Sequence, residues 1–263
     1  MGVRRTRRVA GRRAWRLPRL PRIRAPALSI RWRRAAVLVL AALVGGVGGW
    51  WLYTSPLLSV RGVGVEGNTV LSVEAVREIA DLDGQSLVRP DFAGAEERLL
   101  ALPVVKDVEI SRDWPNSVHI AIVERKAWGL WQAGGQRFVI DDEGVVLDLP
   151  APEGAPVIVQ TDGPSRLLAA GDRVDAGAVA VARQLVASAE RTLGRGVVGL
   201  EFSQASGLSA VLSDDLRVLF GDGQGYEFKV AALYAVLEQA QAEGKTLRKV
   251  DLRFGDRVAV SEG

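Results

Sequence analysis

Residues 104–126 read VVKDVEISRDWPNSVHIAIVERK. Val104, Val105, Val108 and Ile110 are the apolar positions of one predicted strand. Asp113-Trp114-Pro115-Asn116 carries turn residues, and Val118, Ile120 and Ile122 alternate with other side chains on the way back. Side chains of a strand point alternately to its two faces, so this spacing predicts a hairpin with one buried and one solvated face. A hairpin with one apolar face needs a cover, and the chain on its N-terminal side supplies it.

Upstream, Leu58, Val60, Val63 and Val65 predict a strand that ends at the Glu66-Gly67-Asn68 turn. Ser72 is placed to cap a short helix, with Glu74 in its first turn and an apolar stripe of Val73, Val76, Ile79 and Ala80. A second helix is predicted from Asp91 to Leu102, with Phe92, Ala95, Leu99 and Leu102 on one face and Pro103 as its stop. The resulting order is β-α-α-β-β: a small antiparallel sheet with two helices over one face.

Further upstream lies AAVLVLAALVGGVGGWWLY, Ala35 to Tyr53, nineteen residues without a charge. At 1.5 Å per residue such a helix reaches about 28 Å, close to the roughly 30 Å hydrocarbon thickness of a bilayer. Its four glycines are costly in a water-exposed helix and tolerated in a membrane span. Trp32 near one end and Trp50, Trp51 and Tyr53 at the other suit the two interfacial belts. We read 35–53 as an uncleaved transmembrane anchor, because a signal peptide has a shorter apolar region and a small-residue cleavage site.

Residues 1–34 hold thirteen arginines and no acidic residue. The chain is +3 overall, so +13 in this tail leaves −10 for the remainder. A basic cluster beside a span stays cytoplasmic, which puts the acidic remainder outside. Pro18, Pro21 and Pro26 with sparse apolar residues predict a disordered tail whose uses are topology and attraction to anionic lipid. Neither a base-stacking platform nor a reading helix accompanies the arginines, so no nucleic acid is expected as partner.

Downstream, Trp128, Leu130, Trp131 and Phe138-Val139-Ile140 predict short strands, with Asp141-Asp142-Glu143-Gly144 as a hairpin turn before Val145-Val146-Leu147. A Pro-rich loop over 149–156 precedes Val157-Ile158-Val159. Ala178, Val181, Ala182, Leu185, Val186, Ala189 and Leu193 fall on one helical face, stopped by Gly194. Strands are predicted over 197–202, 208–212 and 216–220, then a helix through Phe228, Ala232, Ala235, Val236 and Ala240. Strand 250–254, a turn at Gly255-Asp256 and a final short strand, Arg257-Val258-Ala259-Val260, complete the pattern.

Catalytic readings fail on residue chemistry. There is no cysteine and one histidine, His119, which excludes disulfides, thiolate nucleophiles, cysteine zinc sites and a histidine-rich metal site. Asp141-Asp142-Glu143 lacks the ligand spacing of a calcium loop. The Gly221-Asp222-Gly223-Gln224-Gly225 run lacks the Gly-Lys-Ser/Thr ending of a phosphate loop. Asp214 and Asp215 are adjacent on a strand and so point to opposite faces, unlike the facing acid pair of a glycosidase. The expectation is a non-enzyme without cofactor, metal or small-molecule substrate. A terminal strand, by contrast, exposes backbone N–H and C=O groups that another chain can complete. That marks Arg257, Val258, Ala259 and Val260 as candidate partner-binding residues, with Arg253 and Phe254 on the preceding strand as anchors.

The order Val60-x-x-Val63-x-Val65-x-Gly67-Asn68, Leu87, Leu102-Pro103-Val104-Val105, Val108-x-Ile110-x-Arg112-x-Trp114-Pro115-x-x-Val118 and Val123-Glu124-Arg125-Lys126 resembles a POTRA domain. More closely it resembles that of the bacterial cell-division family FtsQ/DivIB. Phe220-Gly221, Lys229, Leu233, Leu237 and Val250-Asp251-Leu252-Arg253-Phe254 are similar to that family's closing segment. Lys126-Ala127 departs from it, since members often have a proline there. The resemblance implies an α+β architecture: a cytoplasmic Arg-rich tail (1–34), a transmembrane helix (35–53), a POTRA domain (56–126) and a mixed α/β domain with an antiparallel sheet (127–263). It implies a divisome scaffold in the cell inner membrane, enriched at the division septum, that docks FtsB/FtsL-type proteins through its last strand and meets membrane lipid through residues 35–53. The alternative is an envelope chaperone or secretion-assembly subunit built on a POTRA domain, for which tandem modules or a barrel would be expected.

Overall fold

The computed structural model describes residues 30–53, 58–163, 167–254 and 257–262. The sequence expectations for most of the arginine tail, for the break at Pro56 and for the Gly255-Asp256 turn lie outside the described residues.

Helix α1 spans Ile30–Tyr53. Its apolar residues wrap the whole circumference, as a lipid-facing helix requires. It contains a window, Arg34–Trp51, long and apolar enough to cross a membrane. It fits the expected transmembrane anchor.

The unit that follows contains two sheets. The first is made by β1 (Gly62–Glu66), β2 (Val105–Asp113) and β3 (Ser117–Glu124), in the order β1-β3-β2. Helices α2 (Val73–Ala80) and α3 (Phe92–Leu100) cover one face. Local chemistry fixes both helices. The Ser72 hydroxyl accepts from Ala75 N at 3.1 Å, and the Asp91 carboxylate accepts from Gly94 N, also at 3.1 Å. Val76, Ala80, Ala95 and Leu99 then bury against Val63, Val108, Val118, Ile120 and Ile122. One expectation is corrected: the sheet is not wholly antiparallel. β2 and β3 form the predicted hairpin, but β1 runs parallel to β3, with Val63 opposite Val118. Two intervening helices and β2 bring the chain back to the end of the sheet where β1 began.

The second sheet has nine strands in the order β12-β11-β10-β9-β8-β7-β4-β5-β6. They are β4 (Gly129–Ala133), β5 (Gln136–Ile140), β6 (Val146–Leu147), β7 (Val157–Gln160), β8 (Val197–Ser203), β9 (Gly207–Leu212), β10 (Arg217–Gly221), β11 (Leu247–Phe254) and β12 (Arg257–Glu262). Helix α4 (Ala176–Leu193) joins β7 to β8, and α5 (Tyr226–Ala242) joins β10 to β11. Each crossover returns the chain to the starting end of the sheet, so β7/β8 and β10/β11 are parallel, as is β4/β7. The antiparallel sheet expected for this half is therefore a mixed one. Its core forms under the helices, where Val179, Ala182, Leu185 and Leu233 meet Ile158, Leu208, Leu212, Phe220 and Val250.

A candidate partner-binding edge

Among the described residues four strands end a sheet, and the chain treats them differently. β6 is two residues long, and its outer side is closed by the backbone of 171–172: Gly171 N donates to Val146 O and Val146 N donates to Asp172 O, both at 2.8 Å. β1 is five residues long. β2 exposes Lys106, Asp107, Glu109, Arg112 and Asp113 along nine residues, a charge density that resists further pairing. β12 is the remaining edge, and it carries valines and an alanine.

β12 lies antiparallel to β11, with Val260 opposite Val250, Ala259 opposite Asp251 and Arg257 opposite Phe254. The register is irregular between Leu247 and Lys249 and again between Asp251 and Phe254. Strand β12 has no partner on its outer side among the described residues, so its outward N–H and C=O groups remain open to another strand. The buried Val250 shares a sheet face with Val260, which is 50 % exposed, so the apolar helix-side layer continues to the rim and stops there uncovered. Val258 is half-buried and packs on the same core; Ala259 is exposed.

The anchors on β11 are placed by a local clamp. Arg253 forks over Asp251, its Nη2 donating to Oδ2 at 2.7 Å and its Nε to Oδ1 at 2.9 Å. The hydrogen bond from Arg253 holds the Asp251 carboxyl below its usual range against the opposing effect of burial, and Asp251 raises the Arg253 guanidinium in turn. The Arg253 guanidinium also lies over the Phe254 ring, 5.3 Å from its centroid. The Arg253 stem runs over Gly221, where an added Cβ would come within 2.9 Å of its Cγ. Phe254 itself is 61 % exposed, which excludes it as a core residue and leaves a large apolar ring beside the edge.

One apolar position on α5 is corrected by the structure. Tyr226 faces α4, its hydroxyl 3.5 Å from Ser188 Oγ. Phe228 follows two residues on, turned away from that contact by helical phase. Phe228 is 56 % exposed. The sequence reading names Phe228 among the apolar positions of this helix, whereas its buried positions are Lys229, Leu233, Leu237 and Ala240.

The other residues weighed from sequence serve the fold. His119 meets Glu66 at 2.8 Å across the β1/β3 pair. Buried Lys229 ties down the Gly221–Gly225 run, its Nζ donating to Phe220 O at 2.7 Å, Asp222 O at 2.9 Å and Asp222 Oδ1 at 3.0 Å. Asp214 and Asp215 lie in the turn between β9 and β10 and not on a strand as expected; Asp214 pairs with Arg195 at 2.6 Å and Asp215 has a φ of 60°. Among the described residues no group of three or more His, Cys, Asp or Glu side chains is placed to hold a metal ion.

Comparison with known proteins agrees in both halves. Residues 58–125 match the FtsQ-type POTRA domain, and residues 129–253 match the C-terminal region of cell division protein FtsQ/DivIB. Cell division protein FtsQ of Streptomyces collinus is 32 % identical over 225 residues, covering 79 % of this chain and 84 % of that protein. The chain belongs to the FtsQ/DivIB family. FtsQ of Streptomyces coelicolor is 31 % identical over 233 residues, with 84 % and 85 % covered. FtsQ of Neisseria gonorrhoeae is 27 % identical over 238 residues, with 88 % and 90 % covered. FtsQ is a non-catalytic division family, which gives this chain a role in the divisome through contacts with other division proteins. Together with α1, the family points to a single-pass membrane protein.

Proposed function

We propose that this chain is a non-enzymatic divisome scaffold that docks an FtsB/FtsL-type partner by adding the partner's strand to β12. The observation that carries the reading is the uncovered β12 edge, flanked by exposed Phe254 and Val260. Backbone pairing along Arg257–Val260 supplies affinity, and the side chains of Arg253, Phe254, Val258, Ala259 and Val260 select the partner. In this reading residues 1–34 are cytoplasmic, residues 35–53 lie in lipid, and the POTRA domain (56–126) and β domain (127–263) stand outside the inner membrane, gathered at the septum. Support for the orientation comes from the thirteen arginines on one side of the span.

The test uses the full chain in nanodiscs with a synthetic segment of an FtsB-type partner. Val260→Pro removes a backbone donor at the edge, and Phe254→Ala removes the exposed ring; together they are expected to weaken binding by about tenfold or more. Unchanged affinity in a variant with an unchanged circular dichroism spectrum contradicts the reading.

A further inference from the structure

The two sheets of the outer unit meet at a cluster of charges whose signs are segregated by module. The POTRA half contributes cations: Lys106 on β2, and Arg125, the residue after β3. The second half contributes anions: Asp141, Asp142 and Glu143 in the turn after β5. Arg125 Nη1 donates to Asp141 Oδ2 at 2.6 Å and to Glu143 Oε2 at 2.8 Å. Lys106 Nζ lies 2.9 Å from Glu143 Oε1 and 3.8 Å from Asp142 Oδ1. Arg183 on α4 steadies Asp142 from within the second half, at 2.9 Å.

The central pair is desolvated, with side chains 10 % exposed for Arg125 and 1 % for Asp141. Asp141 has no freedom to follow Arg125, because its other oxygen accepts from Glu143 N at 2.9 Å and Val145 N at 2.8 Å. On the POTRA side, Arg125 N donates to Val104 O at 2.7 Å; on the other, Trp128 N donates to Ile140 O at 2.9 Å. The covalent link between these two anchored amides is Lys126-Ala127. Pro103 lies near Gly171, where an added Cβ would come 3.4 Å from its Cγ. A buried charge that loses its partner is costly, so the pair is stable only in the closed arrangement.

We infer that Arg125 and Lys106, closing on Asp141 and Glu143, form a hinge lock that holds the POTRA domain and the β domain at one fixed angle. Lys126-Ala127 is the hinge, and the acidic turn is the strike plate. On the docking-edge reading proposed above, the lock holds any partner of the POTRA domain at a constant separation from a strand bound to β12. Arg125 and Lys106 are positioning residues in this role.

The chain has no cysteine, so two labels can be placed without background. Spin labels at Glu96→Cys on α3 and Glu190→Cys on α4, both exposed, report the angle between the halves in the full chain in nanodiscs. A second pair, Glu190→Cys and Glu238→Cys, reports the integrity of the β domain alone. The unaltered chain is expected to give one narrow inter-module distance. Lys106→Met with Arg125→Met is expected to broaden or shift that distance while the second pair stays put. The milder Glu143→Gln is expected to broaden it partway, Arg183→Met to leave it unchanged, and the swap Lys106→Glu with Glu143→Lys to narrow it relative to Lys106→Glu alone. An unaltered narrow distance in both Lys106→Met/Arg125→Met and Glu143→Gln overturns the lock. Loss of the second pair's distance in Glu143→Gln also overturns it, since the cluster then maintains a fold rather than an angle. No partner is present in this experiment, so its failure is separate from a failure of β12 to dock one.

Discussion

The β2 and β12 edges are both antiparallel hairpin strands with one open side, yet their sequences oppose each other. β2 reads VKDVEISRD and β12 reads RVAVSE. On β2, charges of both signs line the exposed positions, and Lys106 is already engaged by Glu143. On β12 the middle of the strand is Val-Ala-Val, with an exposed phenylalanine across the hairpin. Charged side chains are a known means of keeping sheet edges from pairing, because an incoming strand must desolvate them. The difference teaches that an open edge is not by itself a binding site. What separates the two is the desolvation cost that an arriving strand meets.

The largest expected effect comes from removing what supports the β12 edge. Leu233 is fully buried on α5, beneath which β10 and β11 present Val218 and Val250. Leu233→Ala is expected to lower unfolding free energy by about 2–5 kcal/mol in urea titration, and to weaken partner binding in proportion to the unfolded fraction. Next, giving β12 the character of β2 through Ala259→Lys and Val260→Asp should cut partner affinity by roughly tenfold to a hundredfold in titration calorimetry, with stability nearly unchanged, because both positions are exposed. The converse substitution, Lys106 and Glu109 to valine, tests whether charge alone closes β2; gain of self-association by sedimentation is the expected result.

A smaller effect belongs to Glu124, the last residue of β3. Its carboxylate accepts from the backbone N–H groups of Thr69, Val70 and Leu71 at 2.8 to 2.9 Å and from the Thr69 hydroxyl. Burial works to raise its pKa, but these hydrogen bonds outweigh that and hold it below the usual carboxylate range. Glu124→Ala leaves three partly buried N–H groups unpaired and should cost about 1–3 kcal/mol, with faster hydrogen exchange at Thr69–Leu71. The smallest effect is on pH. Hydrogen bonds from Arg125 and Lys106 bring Glu143 down from 4.5 to about 2. A depressed folded-state pKa stabilises above the unfolded value and is lost as pH falls through the folded one. Facing Arg125 and Lys106, and with Asp141, Asp142 and Arg183 around it, Glu143 should keep the inter-module distance constant from pH 8 to about 4.5 and let it broaden as pH falls toward about 2.

Much of this was legible in the residues because it is local. The caps at Ser72 and Asp91, the stop at Gly194, whose φ is 64°, and the hairpin of β2 and β3 all follow from side chains a few positions apart. The last strand could be named because alternating Val258 and Val260 follow a turn signal. What periodicity does not contain is the identity of a strand's neighbour. The parallel pairing of β1 with β3 joins residues more than fifty positions apart, and the insertion of β7 between β4 and β8 depends on two crossovers. The Arg125–Asp141 contact was hidden for the same reason. Asp141-Asp142-Glu143 reads locally as a polar turn, and only the folded chain brings the POTRA cations against it. Exposure of Phe254 also depends on tertiary structure, since its strand pattern fits a buried or an open ring equally.

Hydrogen exchange on the full chain in nanodiscs, with and without the FtsB-type segment, tests the docking edge most directly. The account predicts slowed exchange of the amides of Arg257–Glu262, while the amides of Val105–Asp113 keep their rates. Binding that leaves β12 amides unprotected, or that protects β2 instead, would contradict it.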